Sequence, residues 1–394
     1  MGGPHWLIFG LNEIRMKNQL LRIGAGLGSA LLFFQLVACG SSQREAEPQV
    51  VEIAPSPLGL EEGEISLVFA GDTNFIWGVE DLQKTRGMLY PLEEVMQMLE
   101  SADLTAVNLE TAITMRGTPI NEKNYIFNSN PLLASVLADV GVDLLVLGNN
   151  HSMDMGDEGI QDTIQFARRH GMFAPGAGMN LQEAAAPAIV EIKGLKIGFF
   201  SGNEVGPNSN FASGQKAGTS TLSVLQSSVR SWCARLDLCI VNIHWGMEYS
   251  PHPLPSQRSA AKDLIKAGAD AIIGHHPHIA QGVEIIDGAP VFYSVGNFLF
   301  GSVNFKQNHN LIVRLVIDPE KKRVKRSEVF AVHGIYREND HRLYLLSGDE
   351  AHALWEELFV QSRALGTREH IGFSQDMKSM LVFPEPLKRP GNGE

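Results

Sequence analysis

Side chains able to bind a cation stand where apolar runs stop. Asp72 follows the run 65–70, Glu110 follows 104–107, and Asn150 and His151 follow 143–147. His244 follows 238–243, and His275, His276 and His278 follow 271–273. Carboxylate, imidazole and amide oxygen are the donors that hard and borderline divalent cations select. Asp72, Glu110, Asn150, His244, His276 and His278 are therefore read as a metal-ligand set. A lone histidine is more often structural, but here three come within four positions. His151, directly after Asn150, suggests a division of labour: the amide oxygen to a cation, the imidazole to substrate. An imidazole titrates near neutrality and can give a proton to a leaving oxygen. Asp154 is placed either to orient that imidazole or to N-cap the next helix.

Strands must position these groups. The runs 65–70, 104–107, 143–147, 238–243 and 271–273 read as buried strands. The stretches 91–100, 131–140, 159–170, 222–232 and 255–267 have helical spacing. Sites in α/β folds collect at the carboxyl ends of strands, where loops converge, and five strands each deliver a ligand-type side chain there. Residues 188–192 and 196–200 read as a hairpin around Gly194. The later runs 283–286, 290–295, 311–317 and 328–332 lack intervening helices. They point to a second sheet packed on the first, an αββα sandwich. The tail contains a further helix at 350–364.

The chain has 394 residues, 44% of them hydrophobic, enough for one large domain or two medium ones. Net charge is -12. Without the first 38 residues, 29 basic groups face 43 acidic ones. Broad binding to a polyanion is disfavoured, and nucleic acid is excluded as a partner because backbone phosphates need clustered Lys and Arg. The basic run Lys321-Lys322-Arg323-Val324-Lys325-Arg326 lies between two strands and reads as a solvated hairpin turn. Residues 1–38 form a signal peptide: Lys17 and Arg22 precede an apolar stretch too short to span a membrane. Met16 is the better start. Leu36-Val37-Ala38-Cys39 resembles a bacterial lipobox, which implies lipidation of Cys39. Residues 39–62 are a lipidated flexible tether. Residues 63–340 are the main domain, and 341–394 a C-terminal helical extension of it. The expected location is the cell envelope, lipid-anchored, outside the cytoplasm. Cys233 and Cys239 are expected to be buried free thiols.

Six motifs occur in order between residues 65 and 300. They are Gly71-Asp72; Asn108-Leu109-Glu110; Asn149-Asn150-His151 with Asp154 and Gly156; His244-Trp245-Gly246 with Glu248; Gly274-His275-His276-Pro277-His278; and Tyr293-Ser294-Val295-Gly296-Asn297-Phe298. Together they resemble the CapA family of poly-γ-glutamate capsule biosynthesis proteins, which is similar in turn to the calcineurin-like metallophosphoesterases. The resemblance implies a four-layer αββα sandwich of the calcineurin-like metallophosphoesterase type. It also implies two divalent metal ions, Mn, Zn or Fe. By that resemblance Asp72 matches the first-motif aspartate, and Glu110 takes the place of the bridging one. Asn150 matches the metal-binding amide, His151 the proton donor and His244 the isolated histidine ligand. His276 and His278 match the final pair, with His275 able to replace His276. Two positions depart from the pattern. Asp72-Thr73-Asn74 stands where the phosphoesterases have Asp-x-His, so one imidazole is missing, and the amide of Asn74 or Asn108 is at hand to replace it. Glu110 replaces an aspartate.

The resemblance implies a metal-dependent, phosphoesterase-like hydrolase acting in the making, export or anchoring of an anionic envelope polymer such as poly-γ-glutamate. Its partners would be that polymer or its precursor, the membrane through the lipid, and a membrane synthase complex. The rival reading is a non-catalytic module that docks the polymer or the synthase. A nucleotidase-like activity would need an aromatic base-stacking clamp, and none is evident in the sequence. Arg116 and Lys123, in the polar loop 112–130, are either substrate contacts or ordinary exposed charge. Trp245 either stacks on substrate or packs in the wall. Gly176-Ala177-Gly178 reads as a strand-end turn.

Overall fold

The structure, a computed structural model, describes residues 59–120, 123–301, 309–333, 342–374 and 378–387. The signal segment, Cys39 and most of the tether lie outside the described residues.

Layering begins with alternation in β1 (Ile65–Thr73). Successive side chains of a strand point to opposite faces. Ile65, Leu67 and Phe69 enter a core shared with Ile197, Phe199, Leu238, Ile240 and Ile273, which belong to a second sheet. Val68 and Ala70 enter a different core, with Leu99, Leu137 and Ile160 from helices. Both faces are apolar because both are covered, as parallel strands require. β2 (Leu104–Leu109) and β3 (Leu144–Val146) continue the sheet in parallel. The helices on its outer face are α1 (Gly78–Arg86), α2 (Glu93–Ser101), α3 (Leu132–Asp139) and α4 (Gly156–Arg169).

The second sheet contains β4 (Ala188–Ile192), β5 (Leu195–Asn203), β6 (Leu238–His244), β7 (Ala271–His275), β8 (Val283–Ile286) and β9 (Ala289–Phe292). Its order is β8-β9-β7-β6-β5-β4, with β5, β6, β7 and β9 parallel. On its outer face α5 (Leu222–Trp232) and α6 (Pro255–Ala267) cover Phe200, Val241, Ile243 and Ile272. The layers therefore run helix, sheet, sheet, helix, the four-layer arrangement expected.

The later strands divide between the sheets instead of forming the second one together. β8 and β9 join the second sheet. β10 (His309–Asp318) and β11 (Arg323–His333) return to the first, β10 pairing antiparallel with β1. A crossing of the chain causes this. Asp72 N–H donates to Gly296 O at 3.0 Å, and Phe298 N–H donates to Asp72 O at 2.8 Å, which carries the segment after β9 across to β1.

The C-terminal part is also more than helical. β12 (Ile371–Phe373) and β13 (Ser379–Val382) extend the first sheet beyond β11. α7 (Gly348–Ala364) drives Leu354, Trp355 and Leu358 into the core between the sheets. The basic run does turn a hairpin, but Lys325 and Arg326 lie in β11 and pair with Glu64, so they are not solvated turn charges. Cys233 and Cys239 form a disulfide, contrary to the expectation of free thiols. One short turn separates α5 from β6, which brings two cysteines six positions apart back to a Cα separation of 6.0 Å. Among the described residues no helix is long and apolar enough to cross a membrane.

Candidate metal centre

The carboxyl ends of β1, β2, β3, β6 and β7 meet at one rim of the sandwich and bring the ligand-type residues together. Asp72 is the penultimate residue of β1, Glu110 comes directly after β2, and His244 and His275 close β6 and β7. Close approach of the crossing chain needs Gly71, where a Cβ would overlap the Gly296 carbonyl.

Glu110 is the centre of the arrangement. Its Oε1 lies 3.8 Å from His244 Nε2, 3.9 Å from His151 Nε2 and 4.0 Å from His278 Nε2. Glu110 is fully buried, and neither of its oxygens has a hydrogen-bond partner. Asn150 Oδ1, His244 Nε2, both ring nitrogens of His275 and His276 Nδ1 are likewise buried without a partner. Buried polar groups are ordinarily satisfied, so this concentration of orphans calls for an occupant. Donors each about 2.1 Å from one ion stand about 3–4 Å apart. The spacing around Glu110 therefore fits cation ligands and is too long for direct hydrogen bonds.

Asp72 is held more firmly. Its Oδ1 accepts from Asn108 Nδ2 at 2.7 Å and lies 3.5 Å from His275 Nδ1. Its Oδ2 lies 3.1 Å from His278 Nδ1 and accepts from His276 N–H at 3.3 Å. Burial pushes the Asp72 carboxyl up, but the imidazoles of His275 and His278 outweigh it and leave the group well below the usual range. Burial, then the Asp72 charge, pushes Glu110 well above that range. Burial opposes the charge on His278, yet Glu110 and Asp72 raise its pKa to about 9. Two carboxylates in a dry pocket thus draw positive charge toward themselves.

The two amides offered as replacements for the missing imidazole differ. Asn108 is used up, donating to Asp72 and accepting from Asn149 Nδ2 at 3.0 Å. Asn74 is fully buried and both of its amide atoms lack partners. His151 Nδ1 lies 2.6 Å from Asp154 Oδ2, which turns Nε2 toward Glu110. Asp154 caps no helix: its oxygens also receive Phe127 N–H and the Lys123 ammonium, and α4 has no side-chain cap. Lys123 is therefore neither exposed charge nor free for substrate. Its ammonium is held by Asp154 and the Asn150 carbonyl, in a part-buried position. Arg116 pairs with Asp162. Trp245 is wholly buried in the wall, donating to Tyr293 O at 2.9 Å.

Three participants escaped the sequence reading. Phe127 stacks on His151 with ring centroids 3.9 Å apart, and nothing in its local sequence marks it. Asn297 Oδ1 holds His278 Nδ1 at 2.9 Å. One ligand atom of Glu248 lies within 4.8 Å of His276 and His278. Both Asn297 and Glu248 belong to recognised motifs, and their polarity at a strand end was the available signal.

Comparisons with known proteins place the chain in a family. The family model described as bacterial capsule synthesis protein PGA_cap matches residues 66–302, which include every residue of the candidate centre. The capsule biosynthesis protein CapA of Bacillus anthracis is 27% identical over 257 residues, 63% of this chain and 62% of that protein. The PGA biosynthesis protein CapA of Bacillus subtilis is 29% identical, over 60% of this chain and 63% of its own. The chain therefore spans somewhat under two thirds of the length of these relatives. A 5'-nucleotidase precursor from Thermus thermophilus superposes with a TM-score of 0.41 at 12% identity, covering 78% of this chain and 60% of that one. The chain belongs to the bacterial capsule synthesis protein PGA_cap family.

Proposed function

We propose that this protein is a lipid-anchored, metal-dependent hydrolase of the cell envelope that acts in the biosynthesis of a capsule polymer of the poly-γ-glutamate type. The observation that carries the reading is Glu110: a buried carboxylate without hydrogen bonds, ringed by three imidazole nitrogens at 3.8–4.0 Å. Asp72, Glu110, Asn150, His244, His276 and His278 would hold the divalent ions, with Asn74 able to supply an amide. Bound cations supply Lewis acidity toward a phosphoryl or acyl oxygen and an acidified water. His151 supplies a proton to the leaving oxygen through Nε2. Asp154 keeps Nδ1 occupied, and Phe127 fixes the ring plane. The names of the CapA relatives support the polymer assignment, and the lipobox-like Leu36-Val37-Ala38-Cys39 supports the anchor.

Metal content of the purified full chain, compared with an Asp72→Ala, His278→Ala double variant, tests the centre. Bound Mn, Zn or Fe in the wild type, lost in the variant, is the expected result, and turnover of a phosphoester that His151→Ala abolishes should accompany it. A metal-replete protein with no bound ion would leave the rival, a polymer- or synthase-docking module. The absence of a first-motif imidazole at Asn74 is what favours that rival.

A further inference from the structure

Glu248 stands four positions past His244 on the loop leaving β6, and it is exposed. That loop is tied to the histidine loop, because Tyr249 N–H donates to Pro277 O at 2.9 Å. One ligand atom from each of Glu248, His276 and His278 falls within 4.8 Å of the others. The two histidines are 5% and 6% exposed, and His276 Nδ1 has no hydrogen-bond partner. Asp72, Glu110 and His244, all fully buried, make a separate group of the same tightness.

The backbone supports the outer trio independently. His276, His278 and Tyr249 have φ of 96°, 59° and 59°. Side chains other than glycine rarely adopt that region, and such strain gathers at ligand sites. The donor chemistry is also suited to a cation. Two imidazoles leave the charge of a divalent ion uncompensated, and a carboxylate supplies the anion. Two histidines with one carboxylate are a donor set for borderline ions that leaves coordination positions open.

We infer that Glu248, His276 and His278 form an outer, exchangeable cation position, in which Glu248 stands in for the imidazole missing at Asn74. A second ion lies deeper, at Asp72, Glu110 and His244. The outer position opens to solvent through Glu248, so it is where an anionic substrate group would first meet a metal. This inference rests on the metal-centre reading above.

Titration of the EDTA-stripped full chain with Mn2+, by calorimetry with bound Mn2+ counted by electron paramagnetic resonance, tests it. Two classes of site are expected in the wild type. Glu248→Gln should abolish the weaker class or raise its Kd by about tenfold or more, and Glu248→His, which returns a ligand, should restore it. The tighter class should survive both changes. Two unaltered classes in Glu248→Gln would overturn the outer site while leaving the metal centre standing. Loss of both classes together would overturn the division into two positions. A wild type that binds no Mn2+ would overturn the metal centre itself and this inference with it. Matched melting temperatures for the variants and the wild type exclude misfolding, since Glu248 is on the surface.

Discussion

A carboxylate such as Glu110, dry and without a hydrogen bond, is costly to keep in a folded chain unless a cation offsets it. Two opposite effects follow from neutralising it. Glu110→Gln should raise the stability of the EDTA-treated protein by about 1–3 kcal/mol, read from urea unfolding. The same change should abolish the upward shift in melting temperature that Mn2+ gives the wild type, a shift worth about 2.7 kcal/mol at a hundredfold excess over Kd. A variant that is less stable than wild type in EDTA would argue that Glu110 has an internal partner. Asp270 poses a separate electrostatic case, away from the centre. It accepts from Cys239 N–H at 2.8 Å, and burial raises its pKa from 3.8 to about 6. Because the folded pKa lies above the unfolded one, the folded state binds the proton more tightly. The stability so gained is complete below about pH 4 and is lost as pH rises through 6. Asp270→Asn keeps an accepting oxygen without the charge. It should be close to neutral at pH 4 and stabilising by about 3 kcal/mol at pH 8. A constant difference across that range would refute the assignment.

At the scale of elements, α7 acts as a plug. Trp355 is 1% exposed and, with Leu354 and Leu358, closes the core between the sheets. Ser362 on the same helix accepts from Val283 N–H at 2.9 Å and so ties the plug to the edge strand β8. Trp355→Ala should cost about 3–5 kcal/mol, seen as a lowered urea midpoint at unchanged slope. A loss under 1 kcal/mol would mean that α7 lies on the sheets without sealing them. The sequence showed this helix but not its place. Helical spacing and apolar runs are local properties, and they revealed the strands that end at Asp72, Glu110, Asn150, His244 and His275. Sheet membership depends on pairing between distant segments. Hence local pattern groups β10 and β11 with β8 and β9, whereas hydrogen bonds at Asp72, Gly296 and Phe298 send them back to β1. Phe127 was illegible for the same reason: only the folded loop lays it on His151. The motif residues were legible because each needs one chemical type at one strand end. The ion pair of Lys123 with Asp154 is illegible as well, since it leaves no trace in the neighbouring sequence.

On the scale of the whole molecule, charge sets how an anionic polymer can be held. The full chain carries -12, and the part beyond residue 38 is more acidic still. Under the proposed function, long-range forces would therefore repel polyglutamate, and cations bound at the proposed centre would be the attraction available to it. Salt screens charges beyond about 8 Å at physiological ionic strength. It should weaken the diffuse repulsion more than short contacts to a buried cation. Association with poly-γ-glutamate should accordingly be absent in EDTA and appear on adding Mn2+. Raising NaCl from low concentration to about 0.15 M should strengthen it, the reverse of the behaviour of a basic polyanion binder. Fluorescence anisotropy of a labelled polymer across a salt series would read this directly. Binding that persists in EDTA and falls steadily with salt would point to a basic surface instead. Lys325 and Arg326 are poor candidates for one, since Lys325 pairs with Glu61 and Glu64, and Arg326 with Glu64 and Glu328.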